Sequence, residues 1–183
     1  AEAGADWGIV LDRVLGPALP CISLVPAAAM AVARANGRDV PCAFICKEVK
    51  DHGEGGVLIG VPLRGRVLIV DDVISAGTAI RESLALIRAN GATPAGVLIA
   101  LDRQERGRGA RSAAQEIALE FGAPVVAIAR LDGLLALAAE RPELAPHRAQ
   151  LDAYRAAYGR GTGRAPTCCI GVEVRRGRGG LAV

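Results

Sequence analysis

Two rhythms of apolar positions run along this chain. Runs of consecutive apolar residues predict strands at Ile9–Leu15, Cys42–Cys46, Val57–Val61, Arg66–Val70, Gly96–Leu101 and Pro124–Ala129. Between them, apolar residues recur every three or four positions, the spacing of a helix with one buried face. Thr78–Ala89 has this pattern, with Ile80, Leu84 and Ile87 on one side and Asn90-Gly91 as its stop. Ser23–Ala35 has it too: Ser23 can cap the helix, Pro26 falls in the tolerated first turn, and Asn36-Gly37 ends it. Ser112–Phe121 opens with Ser112 and Gln115 at capping-box spacing and stops at Gly122. Two more helices follow, one over Asp132–Glu140 and one ending near Tyr158, with His147, Leu151, Tyr154 and Tyr158 on a shared face.

Strands that are apolar throughout, alternating with helices, predict an α/β fold. Its sheet is mostly parallel and covered by helices on both faces. Ligands of such sheets bind at the carboxyl ends of the strands. A chain of 183 residues, 51% of them hydrophobic, suits one core. We expect a single domain over residues 1–158, followed by a Gly/Arg-rich, disordered tail over 159–183. The tail holds five Arg and one Glu, so the net charge of +3 leaves the rest of the chain near −1. A near-neutral body gives no reason to expect a nucleic-acid partner. No apolar run reaches the roughly 18 residues of a membrane span, so no membrane partner is expected either. The start, AEAGADWG, has no basic region and no long apolar stretch, and so no secretory signal. It also has little lead-in before the first apolar run, so a segment upstream is expected. The five cysteines form no CxxC pair, which argues against zinc and for reduced thiols in the cytoplasm.

The chemistry concentrates in residues 67–80, VLIVDDVISAGTAI. Consecutive strand residues point to opposite faces, so Asp71 and Asp72 need not share one point. Carboxylates at a strand end suit hydroxyl donors such as a sugar diol, or a hydrated magnesium ion. They are poor partners for a bare phosphate. The loop after them, Ser75-Ala76-Gly77-Thr78, has small side chains and leads into a helix start. Backbone N–H groups and the helix dipole there favour an anion, and Ser75 and Thr78 add hydroxyl donors. Acids for a ribose beside a nest for its phosphate describe a site for a phosphorylated sugar. Taken singly, an acid or a glycine here would be only a strand end and a turn; the assembled block points to binding. Neither of the other common phosphate motifs, G-x-G-x-x-G in the right place or G-x-x-x-x-G-K-[ST], is present.

This block resembles the phosphoribosyl-pyrophosphate signature of type I phosphoribosyltransferases. Two further stretches narrow the resemblance. KEVKDHGEGG at 47–56 resembles the mobile catalytic loop of the orotate phosphoribosyltransferase family, and LDRQERGRG at 101–109 is typical of the same family. The resemblance extends from about Gly16 to about Tyr158. It implies transfer of phosphoribosyl from phosphoribosyl pyrophosphate to orotate, giving orotidine 5′-monophosphate and pyrophosphate in pyrimidine (UMP) biosynthesis. It implies Mg2+ as cofactor, bridging pyrophosphate oxygens and ribose hydroxyls, and a homodimer in which the loop reaches a partner's active site. Lys47, Lys50 and His52 would contact the pyrophosphate and carry the catalytic charge stabilisation. Asp71, Asp72, Val73, Ile74, Ser75, Ala76, Gly77, Thr78 and Ala79 would bind the phosphoribosyl group. Ser75 and Arg103 would bind orotate; an arginine at a strand's carboxyl end suits bidentate capture of a planar carboxylate. Taken alone, Lys47–Gly56 reads more readily as a solvated hairpin tip than as a lid, and Arg103 equally as a solvated loop charge. Arg106, Arg108 and Arg111 read as surface charges.

The chain departs from the family pattern on the pyrophosphate side. Where the family reads Gly-Pro-Ala-Tyr-Lys-Gly-Ile, this chain has Gly16, Pro17, Ala18, Leu19, Pro20, Cys21 and Ile22. Its expected lysine is therefore Pro20, and a glycine whose backbone hugs the phosphates is Cys21. The arginine expected before Lys47 is Cys46, and the N-terminal segment that covers orotate is not seen. Losing two charge-assisted hydrogen bonds at roughly 1.5–3 kcal/mol each predicts a turnover defect, with sugar-phosphate binding better preserved. The alternative is a non-catalytic regulator of the same fold that binds phosphoribosyl pyrophosphate. The kept KEVKDHGEGG loop argues against that alternative, and LDRQERGRG argues against a purine substrate.

Overall fold

The apolar runs pair edge to edge into one six-stranded sheet. A computed structural model of the chain describes residues 9–17, 21–46 and 57–159. The strands are β1 (Arg13–Gly16), β2 (Cys42–Cys46), β3 (Val57–Gly60), β4 (Arg66–Val73), β5 (Thr93–Asp102) and β6 (Val125–Arg130). Their order across the sheet is β3-β2-β1-β4-β5-β6. All neighbours are parallel except β2 and β3, which form an antiparallel hairpin with residues 47–56 between them. The helices are α1 (Cys21–Asn36), α2 (Thr78–Ala89), α3 (Ala113–Phe121), α4 (Leu131–Glu140) and α5 (Ala145–Tyr158).

Period-two alternation along β4 explains how one strand serves two cores. Val67 and Ile69 pack with Ile80, Leu84 and Ile87 of α2 and Ile117 of α3. Leu68 and Val70 pack with Cys21, Val25, Ala29 and Val32 of α1. A strand covered on both faces has no polar side to present, which is why these strands are apolar throughout. The expected α/β architecture is therefore the one observed.

Several boundaries differ from the sequence reading, each for a physical reason. The first strand is only Arg13–Gly16; Ile9 and Leu11 are buried in the core but lie before the paired segment. Helix α1 begins by Cys21, so Ser23 lies inside it rather than capping it, and Pro26 is interior. Cys21, Val25, Ala29 and Val32 share the buried face, and that stripe sets the start of the helix. Strand β4 continues through Asp71 and Asp72 to Val73, with Asp71 opposite Ile99 and Val73 opposite Leu101. The acids are thus held inside a ladder rather than beyond its end. Helix α2 has its expected bounds, and α3 carries the expected capping box: Gln115 N–H donates to Ser112 Oγ at 3.3 Å, and Ser112 N–H to Gln115 Oε1 at 3.1 Å.

Helix α4 packs against β6 and α5. On α5, the Tyr154 and Tyr158 rings lie 5.1 Å apart. Among the described residues no helix is long and apolar enough to cross a membrane. The tail expected to be disordered lies outside the described residues, apart from Gly159, which bridges to Glu105.

Candidate active site

Strand order locates the site before any side chain is considered. From β1 the chain proceeds to β2 on one side; from β4 it proceeds to β5 on the other. The carboxyl ends of β1 and β4 therefore flank a crevice, the topological switch point at which such sheets bind ligands. Gly16 ends β1 there. A Cβ on it would meet Val25 Cγ2 at 2.7 Å and Cys21 Cβ at 3.0 Å, so α1 can start this close to the strand only over a glycine.

Asp71 stands across that crevice and is buried. Its Oδ1 accepts hydrogen bonds from the Cys21 thiol at 3.0 Å and from Asp72 N–H at 2.9 Å. Burial pushes its carboxyl above the usual range and outweighs the lowering by the thiol and the backbone N–H; the neighbouring Asp72 pushes it the same way as burial. Asp72 is half-buried, and its Oδ1 accepts from Val73 N–H at 2.8 Å. The two acids are thus differentiated, one sunk beside α1 and one nearer solvent.

The loop after the strand has the form a small anion needs. Ser75 and Ala76 are exposed, and Ile74 and Gly77 are buried. Gly77 precedes α2 with φ 74°, a left-handed conformation that favours glycine. The first intrahelical donor is Arg81, whose N–H reaches Gly77 O at 3.0 Å. The N–H groups of Thr78, Ala79 and Ile80 precede it and belong to the helix end that offers donors to a ligand. Thr78 is exposed at the first helical position, and Val73 and Ala79 are half-buried around the loop.

Arg103 follows β5, and its Nη2 donates to Ser75 Oγ at 2.8 Å. The two residues expected at an orotate site thus meet across 28 positions of sequence. Arg103 Nε lies 3.1 Å from Glu105 Oε1, an ion pair without hydrogen-bond geometry. Tyr154 of α5 donates its hydroxyl to the same Glu105 oxygen, and this bond raises the Tyr154 pKa. Between them Gln104 adopts φ 54°. Its amide holds Asp132 at both ends: Asp132 N–H donates to Oε1 at 3.0 Å, and Nε2 donates to Asp132 Oδ2 at 3.2 Å. Gln104 N–H donates to Asp102 Oδ1 at 2.9 Å, while burial holds the Asp102 carboxyl above its usual range. The arginine therefore projects from a braced turn.

Asp71 through Ala79 and Arg103 are brought to one edge of the sheet. Lys47, Lys50 and His52 lie outside the described residues. Cys46 ends β2 at the same edge and is half-buried. Sequence reading missed Cys21 as a partner of Asp71, and missed Gln104, Glu105, Asp132 and Tyr154 as the brace of Arg103. Only the apolar face shared by Tyr154 and Tyr158 hinted at the last of these.

Among the described residues no three His, Cys, Asp or Glu side chains converge to hold a metal ion. A cation caged by protein alone does not fit this donor set. A magnesium ion held mainly by substrate oxygens and water, with one or two carboxylates nearby, does fit Asp71 and Asp72.

No family model matches the chain. Individual relatives do. An orotate phosphoribosyltransferase of Laribacter hongkongensis is 60% identical over 159 residues, which is 87% of this chain and 74% of the relative. The crystal structure of orotate phosphoribosyltransferase from Francisella tularensis superposes with a TM-score of 0.67 at 30% identity, covering 86% of this chain and 75% of that one. The Mycobacterium tuberculosis enzyme in complex with 5-phospho-alpha-D-ribosyl 1-diphosphate superposes with a TM-score of 0.50 at 25% identity, covering 73% and 69%. Identity of this degree over most of both chains, on a sheet with the acids and the small-residue loop at its switch point, places the chain in the orotate phosphoribosyltransferase family.

Proposed function

We propose that the chain transfers phosphoribosyl from phosphoribosyl pyrophosphate to orotate, releasing pyrophosphate and forming orotidine 5′-monophosphate. Family membership makes it a pentosyltransferase of pyrimidine biosynthesis. The observation that most supports a role for these particular residues is the hydrogen bond of Arg103 to Ser75, beside the Asp71–Thr78 block. In this reading the N–H groups from Ser75 to Ala79 and the Thr78 hydroxyl hold the 5′-phosphate. Asp71 and Asp72 accept hydrogen bonds from the ribose hydroxyls. Arg103 takes the orotate carboxylate, with Ser75 beside it.

In the reaction the bond from the ribose C1 to the pyrophosphate oxygen breaks, and a bond from C1 to an orotate ring nitrogen forms. Positive charge develops on the ribose ring, so positioning and charge matter more than a strong nucleophile. Lys47, Lys50 and His52 are assigned to the departing pyrophosphate, where their charges would stabilise the negative charge that builds up. A bound magnesium ion would neutralise charge on that leaving group, and Asp71 and Asp72 are the residues placed to meet its water shell. We assign the working form to a cytoplasmic homodimer in which this loop serves the partner's site, and the catalytic domain to residues 1–158.

The test is orotate consumption followed by absorbance, with phosphoribosyl pyrophosphate and magnesium, beside calorimetry of phosphoribosyl pyrophosphate binding. Turnover that stops when the metal is chelated supports the proposal. Binding without turnover would instead support a phosphoribosyl-pyrophosphate-binding regulator, the reading that Pro20 and Cys46 favour. A single variant separates the substrates. Arg103→Lys keeps the charge but loses the bidentate fork, so the KM for orotate should rise about tenfold. The Kd for phosphoribosyl pyrophosphate should stay unchanged; a rise in that Kd would remove Arg103 from the orotate role.

A further inference from the structure

Arg81, one turn into α2, touches the loop from behind. Its Nη1 donates to Ala76 O at 2.8 Å. Its Nε and Nη2 face Glu120 near the end of α3: Nε lies 3.1 and 2.9 Å from the two carboxylate oxygens, and Nη2 lies 2.7 Å from Oε2. One guanidinium thus ties the carbonyl of the proposed phosphate loop to a carboxylate on a different helix, 39 residues away in sequence.

The geometry of the peptide unit gives this contact a consequence. The Ala76–Gly77 peptide is trans, as no cis bond occurs among the described residues. In a trans peptide the C=O and the following N–H point in opposite directions. Turning Ala76 C=O toward Arg81 therefore turns Gly77 N–H away from Arg81. Gly77 itself leans on the same wall. A Cβ there would meet Ile117 Cδ1 at 2.8 Å and Arg81 Nη1 at 3.2 Å. Arg81 and Ile117 of α3 together back the loop at Gly77, and the Gly77 N–H faces forward, away from Arg81.

We propose that Arg81, locked by Glu120, is a positioning residue that presets the Ser75–Thr78 loop for a phosphate group. The proposal rests on reading that loop as the phosphate site. Arg81 acts by orientation rather than by offering its own charge, because Glu120 already neutralises it. The mutual pairing is strong enough to raise the Arg81 pKa and to lower that of Glu120. An anion bound on the forward side would meet N–H groups that are already aligned and need no reorganisation.

The test is calorimetry of the full chain with three probes: phosphoribosyl pyrophosphate, ribose 5-phosphate and inorganic pyrophosphate. Arg81→Met keeps the stem and removes every donor. It should weaken phosphoribosyl pyrophosphate and ribose 5-phosphate about tenfold each, with pyrophosphate affinity unchanged. Arg81→Lys, which can still donate to Ala76 O, should recover most of that loss. Equal weakening of all three probes, or no recovery with Lys, would make Arg81 a merely structural contact and overturn the proposal. Unchanged affinity in Arg81→Met would overturn it as well. If the wild-type chain bound neither sugar phosphate, the reading of the loop itself would fall, and the role of Arg81 with it.

Discussion

Replacing Pro20 with Lys and Cys46 with Arg in the same chain is expected to raise kcat/KM by on the order of 10²–10⁴-fold. The two positions are those at which the chain departs from the cationic pattern of its family. Cys46 is the last residue of β2, which runs parallel to β1, so it stands at the sheet edge that holds Asp71. It is only half-buried, so a long side chain there has a way out to solvent. A guanidinium at 46 and an ammonium at 20 would each add a charge-assisted hydrogen bond to the departing pyrophosphate, worth roughly 1.5–3 kcal/mol. These contacts strengthen as the leaving group gains charge, so kcat should rise more than KM falls. Steady-state rates of the two single variants and the double variant check this. A double variant no faster than the starting chain would locate the defect elsewhere or show that there is none.

Asp71→Asn should be more stable than the starting chain and nearly inactive. The activity loss, on the order of 10²-fold in kcat/KM, follows from exchanging the carboxylate proposed to accept from a ribose hydroxyl for a neutral amide. The stability gain follows from burial. The folded chain holds the Asp71 proton to a higher pH than the unfolded chain does. The side chain's contribution to stability is therefore fullest in acid, and it is lost as pH rises from the ordinary carboxylate range through the raised value. Asn keeps an oxygen that can accept from the Cys21 thiol and Asp72 N–H, but it carries no charge to desolvate. The Tm of the variant should match that of the starting chain at low pH and exceed it at neutral pH. A Tm difference constant across pH would show that the buried charge is not the cause.

What could be read from sequence and what could not divides by distance along the chain. The Asp71–Ala79 block was legible because strand, acids, small-residue loop and helix start are contiguous, and each has a local physical signature. The Ser112–Gln115 cap was legible for the same reason, three residues being enough to state it. The start of α1 was misread because Ser23 and Pro26 look like a helix opening, whereas burial of Cys21 and Val25 on one stripe decides where the helix begins. A charged pair looks like a terminus, so the sequence predicts β4 to stop at Val70; the ladder to β5 runs three residues further, to Val73. The pairing of Arg81 with Glu120 and of Glu105 with Tyr154 spans 39 and 49 residues, and no local pattern announces either. Cys21 looked like a lost glycine; folded, it is a donor to the acid on which the site turns.

The crevice between β1 and β4 also bears on how the chain comes to fold. The β2–β3 hairpin can pair early, since little chain separates its strands. Cys21 and Asp71, which face each other across the site, lie 50 residues apart. Their meeting awaits closure of the parallel β1–β4 pair, a non-local step whose loop entropy must be met before contacts repay it. Recovery of sugar-phosphate affinity during refolding would therefore time that closure, and would lag behind the appearance of the hairpin and of α2.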